Sequence, residues 1–112
     1  MADARDVIRK RSFYPVPFNG DTIHVRAMRE SELKVLSEFY DAPESFGFAI
    51  GKSLLNEDGT NCYTEEESES PQEFGKRVLA DLDLQSDIKS RLMAVIQKVS
   101  SGVTDFEALK KN

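Results

Sequence analysis

The dipeptide Asn19-Gly20 stands between "FYPVPF" and "DTIHVRAM", two short apolar-rich arms, and it constrains the fold more than any other feature of the chain. Both residues tolerate the positive φ that a two-residue hairpin turn demands. In the second arm Ile23 and Val25 alternate with Thr22, His24 and Arg26, so the first pair is expected on a core face and the other three toward solvent. Pro15 and Pro17 have no N–H to give to a ladder, which places the first arm at a sheet edge. A hairpin this small needs something to pack on, and the rest of the chain supplies helices.

"RESELKVLSEFY" puts Leu33, Leu36, Phe39 and Tyr40 at helical spacing, and the pattern breaks near Asp41-Ala42-Pro43. Pro43 suits the start of a second helix, in which Phe46, Ala49, Ile50 and Leu54 share a face. Asn56 to Asn61 reads as a turn. Thr64-x-x-Glu67 has the form of a capping box, and Ser70-Pro71-Gln72-Glu73 is a second one with proline at the first helical position. The helix it opens carries Phe74, Val78, Leu79 and Leu82, with Glu73 and Arg77 spaced as a surface ion pair. Ser86 is expected to cap a longer helix with Ile88, Leu92, Val95, Ile96 and Val99 on one stripe, ended by Ser101-Gly102. Thr104-x-x-Glu107 with Phe106 and Leu109 fits a last short turn of helix. The expected fold is mainly α (α+β): a small N-terminal β-hairpin followed by a four- to five-helix bundle. Residues 1–12 are expected as a flexible arm, 13–102 as one globular domain and 103–112 as a tail.

Such a chain is long enough to bury a modest core: it has 112 residues, 39% hydrophobic and 31% charged. The net charge of -5 argues against bulk nucleic-acid binding, which relies on Lys and Arg neutralising phosphates. The single cysteine, Cys62, suits a reducing compartment, and no stretch approaches transmembrane length. A cytoplasmic protein without membrane or nucleic-acid partners is the expectation.

The acids are concentrated. From Glu57 to Glu73 there are seven (Glu57, Asp58, Glu65, Glu66, Glu67, Glu69, Glu73) and no Lys or Arg, a local charge of -7. With Gly59 as the sixth position of a calcium loop, Leu54 would fall at the first position and Asn61 at the eighth, so the first carboxylate is missing and no metal site is expected. A turn at Asp58-Gly59 and acids in a first helical turn account for part of the run. Glu57, Asp58, Glu65, Glu66 and Glu69 are left as an acidic surface, either a solvated face or a docking face for a basic partner.

Nothing in the chain assembles catalytic chemistry. His24 is the only histidine and has no nucleophile beside it in sequence. Cys62 stands among acids, which raise a thiol's pKa. Asp81 and Asp83 fall on a solvated helix end. Gly47 and Gly51, four apart, suit close helix packing better than phosphate binding. No enzyme, cofactor or metal is expected. Seven of the ten aromatics (Phe13, Tyr14, Phe18, Phe39, Tyr40, Phe46, Phe48) lie between residues 13 and 48, and Phe46 and Phe48, two apart on a helix, cannot both face one core. The candidate partner-binding residues are therefore Phe39, Tyr40, Phe46, Phe48, Ile50 and Leu54, with self-association through the same half.

The succession "TIHVRAMRESEL", an apolar helix, "LLNEDGTNCYTEEE", a two-helix finish and "LMAVIQKVSSG" resembles the small tail assembly chaperones of long-tailed bacteriophages and prophages, over roughly residues 16 to 102. In that family a strand region ending in a Val-Arg-like pair leads into a helix, and a "D-x-D-G-x-x-x-F-T-x-x-[DE]" type turn precedes the C-terminal helices. The matching positions are Val25-Arg26, Asn56-Glu57-Asp58-Gly59, Tyr63-Thr64 and Glu67. The departures are Tyr63 where Phe is common and Arg29 where a Ser or Thr cap is expected. The resemblance implies a non-enzymatic protein of the bacterial host cytoplasm that binds the helical tape-measure protein, keeps it soluble before tail-tube assembly, and self-associates. It also allows the tail-tube protein as a second partner. Two other readings stay open: a structural tail or head-tail connector component, and an acidic adaptor or antitoxin-like protein that neutralises a basic partner through Glu57 to Glu73.

Overall fold

The computed structural model describes residues 3–5 and 13–100. Strands β1 (Phe13–Phe18) and β2 (Asp21–Arg26) form the hairpin, followed by helices α1 (Glu30–Ser37) and α2 (Glu44–Ser53), the two-residue strand β3 (Leu54–Leu55), and helices α3 (Pro71–Leu82) and α4 (Ser86–Ser100). The sheet has the order β1-β2-β3 and is antiparallel throughout. A small α+β domain results, with a three-stranded sheet and four helices among the described residues. The expected terminal turn at Thr104–Leu109, the Ser101-Gly102 helix stop and most of the N-terminal arm lie outside the described residues.

The hairpin forms as its turn residues dictate. Phe18 pairs with Asp21, and Asn19 and Gly20 take φ of 51° and 78°. Pro15 and Pro17 sit on β1, an edge strand where a missing N–H costs no ladder bond to a third strand. Val16 and Val25 are buried against Val95 and Val99, so α4 is the helix that covers this sheet.

β2 departs from the expected alternation at its end. Arg26 is only 2% exposed, although its position in the strand pattern assigned it to solvent. The chain turns back after Met28 and lays the start of α1 over Arg26, where Glu32 accepts from both arms of its guanidinium at 2.8 Å. Arg26 also donates to the Ala27 carbonyl at 3.0 Å. Glu32 in turn accepts from the backbone N–H of Arg29 at 2.8 Å, so a helix begun by Arg29 rather than Ser or Thr still has one end donor satisfied by its third residue.

α1 is shorter than its spacing suggests and buries none of its residues. It stops at Ser37, and Phe39 enters the core from the turn that follows, while Leu33 remains exposed and Leu36 half-buried. α2, by contrast, is buried on nearly every side, because Gly47 and Gly51 let α3 approach its backbone. A Cβ on Gly47 would stand 1.9 Å from the Gly75 carbonyl oxygen, and one on Gly75 would stand 2.2 Å from that of Glu44. Phe48 lies edge-on to Phe39 at 5.6 Å and to Phe74 at 6.2 Å between ring centroids. This trio is the centre of the main core, with Ile50, Val78, Leu92 and Ile96 around it. Burying each such side chain contributes roughly 1.5–3 kcal/mol.

Ser70 caps α3 as expected: its Oγ accepts from the Glu73 N–H at 3.1 Å and Glu73 accepts from the Ser70 N–H at 3.2 Å, with Pro71 at the first helical position. Asp83 ends the helix in a left-handed conformation, φ 47°, its N–H donating to the Leu79 carbonyl. α4 begins one residue earlier than a Ser86 cap implies, since the Gln85 carbonyl already accepts from Lys89 N–H at 2.9 Å.

Candidate functional site: an apolar groove

Phe46 and Phe48 part company as their spacing requires. Phe48 is 2% exposed in the core and Phe46 38% exposed. Phe46 belongs to a groove of about 420 Å³ between α1, the start of α2 and α4. Leu33 and Leu36 of α1 and Tyr40 of the following turn form one wall, Phe46 and Ser45 the next, and Met93, Gln97 and Ser100 of α4 the third, with Met28 among the lining residues. Leu33 is 40% exposed and Tyr40 67%, so three of the four exposed large hydrophobics among the described residues border this one depression, Phe13 being the fourth.

The groove's own polar atoms are largely engaged within the fold. Ser45 Oγ donates to the Tyr40 carbonyl at 3.1 Å, which fixes the turn that carries the tyrosine. Ser100 Oγ accepts from the Met28 N–H at 3.2 Å, which ties the end of α4 to the segment leading into α1. Lys89 Nζ lies 5.0 Å from the Phe46 ring centroid, a cation over an aromatic face at the edge of the groove. A concave, mainly apolar surface of this kind can take up apolar side chains, and its lining holds no carboxylate, histidine or cysteine.

Of the six residues expected to bind a partner, the structure brings only Tyr40 and Phe46 together at this surface. Phe39, Phe48 and Ile50 are in the core, and Leu54 is half-buried in β3, paired with Val25. Of the seven aromatics that suggested a free face, Phe39 and Phe48 are taken into the core beside Phe74, while Phe13, Tyr40 and Phe46 are exposed. The sequence places Leu33 and Leu36 only at helical spacing with Phe39 and Tyr40, and Met28 and Met93 carry no signal beyond being apolar. What marks them is that α1 ends at Ser37 and only rests on the core through Val35 and Leu36, with none of its residues buried, a property of the tertiary path.

The acidic segment is more heavily paired than its sequence suggests. Asn56 to Asn61 form a closed turn in which Gly59 takes φ 89° and Asp58 accepts from the Thr60 N–H at 3.0 Å and its hydroxyl at 2.6 Å, which lowers the Asp58 pKa. The Thr64-x-x-Glu67 box opens no helix: residues 62–70 run as an irregular loop. Arg77 holds that loop from α3, donating to both carboxylate oxygens of Glu69 at 2.8 and 2.9 Å and to the Thr64 carbonyl at 2.7 Å. That fork lowers the Glu69 pKa. Arg77 therefore pairs with Glu69, and Glu73, its expected partner four residues before it, serves the Ser70 cap instead. Glu65 pairs with Lys52 of α2. Glu57, Glu66 and Glu67 are exposed.

A second hollow, about 120 Å³, lies among Arg26, Glu32, Lys52, Tyr63 and Glu65. Its cations already face carboxylates, Arg26 to Glu32 and Lys52 to Glu65, so it has no unbalanced charge with which to select an ion. Tyr63 donates to Asp81 at 2.5 Å, and burial together with that carboxylate pushes its pKa up to about 12. Cys62 donates to the Asn56 side-chain oxygen at 3.2 Å and its pKa is raised by burial, so it is held as a thiol. His24 lies beside Phe13, 6.1 Å between ring centroids. Among the described residues no three His, Cys, Asp or Glu side chains gather as a metal site would require, and no helix is long and apolar enough to cross a membrane. No protein-family model, curated protein or solved structure matches the chain.

Proposed function

We propose that the chain is a non-enzymatic tail assembly chaperone of the phage or prophage type, which holds apolar helical segments of a tape-measure protein in solution in the host cytoplasm until the tail tube is built. The observation that supports it is the groove: Leu33, Tyr40 and Phe46 present apolar surface around a depression wide enough for side chains of an amphipathic helix. Helix-in-groove capture works by removing apolar faces from water and needs anchors at helical spacing on the partner. The net charge of -5 keeps a loaded complex dispersed, while the acids with partners stiffen the loop before α3. Self-association stays part of the proposal, through the exposed Tyr40 and Phe46, and the capture of a partner helix does not depend on it.

The test is co-expression with tape-measure segments from the same genome. A segment that is insoluble alone should become soluble with the wild-type chain and stay insoluble with the folded Leu33→Asp/Phe46→Asp variant. Equal solubility with both chains would remove the groove from the proposal.

A further inference from the structure

The groove is walled by helices and has a cation at one end. Met93, Gln97 and Ser100 border it at spacings of four and three, one stripe along α4 that is about 10 Å long at about 1.5 Å of helix rise per residue. Lys89 stands on the same stripe one turn before Met93, about 6 Å farther along the helix axis. Its Nζ lies 5.0 Å from the Phe46 ring centroid. Arg26, Lys52 and Arg77 each face a carboxylate, whereas Lys89 forms no ion pair among the described residues. The groove lining supplies no acid for it either. A half-buried ammonium against an aromatic face has lost part of its hydration without gaining a counter-charge, so an incoming carboxylate is favoured there and an incoming cation is repelled.

We infer that the groove prefers a partner helix with an Asp or Glu one turn outside its apolar anchors, where the carboxylate meets Lys89. This rests on the helix capture proposed above and names the sequence pattern that the captured segment carries. Anchors at i, i+3 or i+4 and i+7 span about 10 Å of helix, the length of the Met93–Ser100 stripe, so a helix with its anchors seated there brings its next turn level with Lys89. That turn is at i−4 in a helix parallel to α4 and at i+11 in an antiparallel one. A basic residue at the same place is disfavoured, although the chain as a whole has a net charge of -5. An exposed pair adds at most about fivefold to affinity, so the contact sets which segment docks, and in which register, while apolar burial supplies most of the binding.

The test uses the full chain and three synthetic helical peptides of alanine and glutamine with leucine at i, i+4 and i+7. They carry glutamate, glutamine or lysine at both i−4 and i+11, so that either orientation presents the residue to Lys89. The wild-type chain should bind the glutamate peptide about threefold or more tighter than the lysine peptide, with the glutamine peptide between them. Lys89→Glu should reverse the order, and it keeps the fold because an acid near the start of α4 suits the helix dipole. Leu33→Asp/Phe46→Asp should bind none of the three. Equal binding of the glutamate and lysine peptides to the wild type would overturn the inference and leave the chaperone proposal standing, and so would an order that Lys89→Glu does not change. A glutamate preference that persists in Leu33→Asp/Phe46→Asp would place the contact away from the groove and overturn it as well. Failure of all three peptides to bind the wild type at millimolar concentration would overturn both the inference and the helix capture on which it rests.

Discussion

Arg26 and Glu32 face each other through two parallel 2.8 Å hydrogen bonds, six residues apart in sequence and enclosed between the end of β2 and the first turn of α1. The guanidinium Nε has no acceptor among the described residues, so Glu32 carries most of the compensation for burying this cation. Removing one partner of such a pair leaves the other charge uncompensated. Glu32→Gln should cost about 3–5 kcal/mol, read as a lower midpoint in urea with an unchanged slope.

The same pair sets an acid limit. Burial pushes the Glu32 carboxyl toward neutrality, but the Arg26 fork, the Arg29 N–H and the nearby charges of Arg26 and Lys52 outweigh it and hold the pKa below the ordinary range. A depressed carboxylate contributes its full stability above the unfolded value, about 4.3, and loses it as pH falls through the lower folded value. Thermal midpoints of the wild type should therefore drop on going from pH 5 to pH 3, and Glu32→Gln should drop less over the same range. Parallel curves for the two proteins would mean that other carboxylates govern the acid limit.

The α2–α3 crossing gives a sharper steric prediction. Gly47→Ala sets a methyl group against the Gly75 backbone, which cannot swing aside as a side chain tip would. The cost should reach or exceed the roughly 1–3 kcal/mol of ordinary overpacking. Gly20→Ala is the contrasting case: its φ of 78° is unfavourable for alanine, but nothing lies within 4 Å of the added carbon. It should lose only about 1–2 kcal/mol through the left-handed backbone. Equal losses in the two variants, measured by the same denaturant series, would show that the helices can move apart.

Features that depend on neighbours in sequence could be read without the structure. Asn19-Gly20 and the Ser70 capping box are closed within four residues, and two-residue spacing alone separates Phe46 from Phe48. The misreadings share a cause, since each turns on a partner in another element, six to thirteen residues away. Arg26 looks solvent-facing until α1 folds over it, and Thr64 looks like a helix cap until Arg77 claims its carbonyl. The acidic run looks unpaired until Lys52 and Arg77 reach it from α2 and α3. The groove was half readable: Tyr40 and Phe46 were among the candidates, but Leu33 joins them only because α1 ends early.

Arg77 is the residue that converts an acidic stretch into a defined loop, so its removal should act locally. Arg77→Ala frees Glu69 and the Thr64 carbonyl while leaving the Ser70 cap and the Phe74 core position in place. Cleavage by a glutamate-specific protease between Glu65 and Glu69 should become several-fold faster, with the helical circular dichroism signal retained. An unchanged cleavage rate would place the loop's order in the Lys52–Glu65 pair instead.

The final prediction sets apolar capture against charge attraction in partner binding. If the groove carries the contact, binding is desolvation of apolar faces and should survive a rise in salt from 50 mM to 500 mM. If the exposed acids carry it, the attraction is screened within a Debye length of roughly 8 Å at physiological ionic strength and should weaken steeply over that range. The discriminating variants are Leu33→Asp/Phe46→Asp for the groove and Glu57→Gln/Glu66→Gln/Glu67→Gln for the acids. The second set spares Glu65 and Glu69, whose pairing with Lys52 and Arg77 makes them part of the fold. Pull-down of a tape-measure fragment should fail with the first variant and persist with the second at both salt concentrations. The reverse result would move the docking surface to the loop before α3, and would favour a basic partner over an apolar helix.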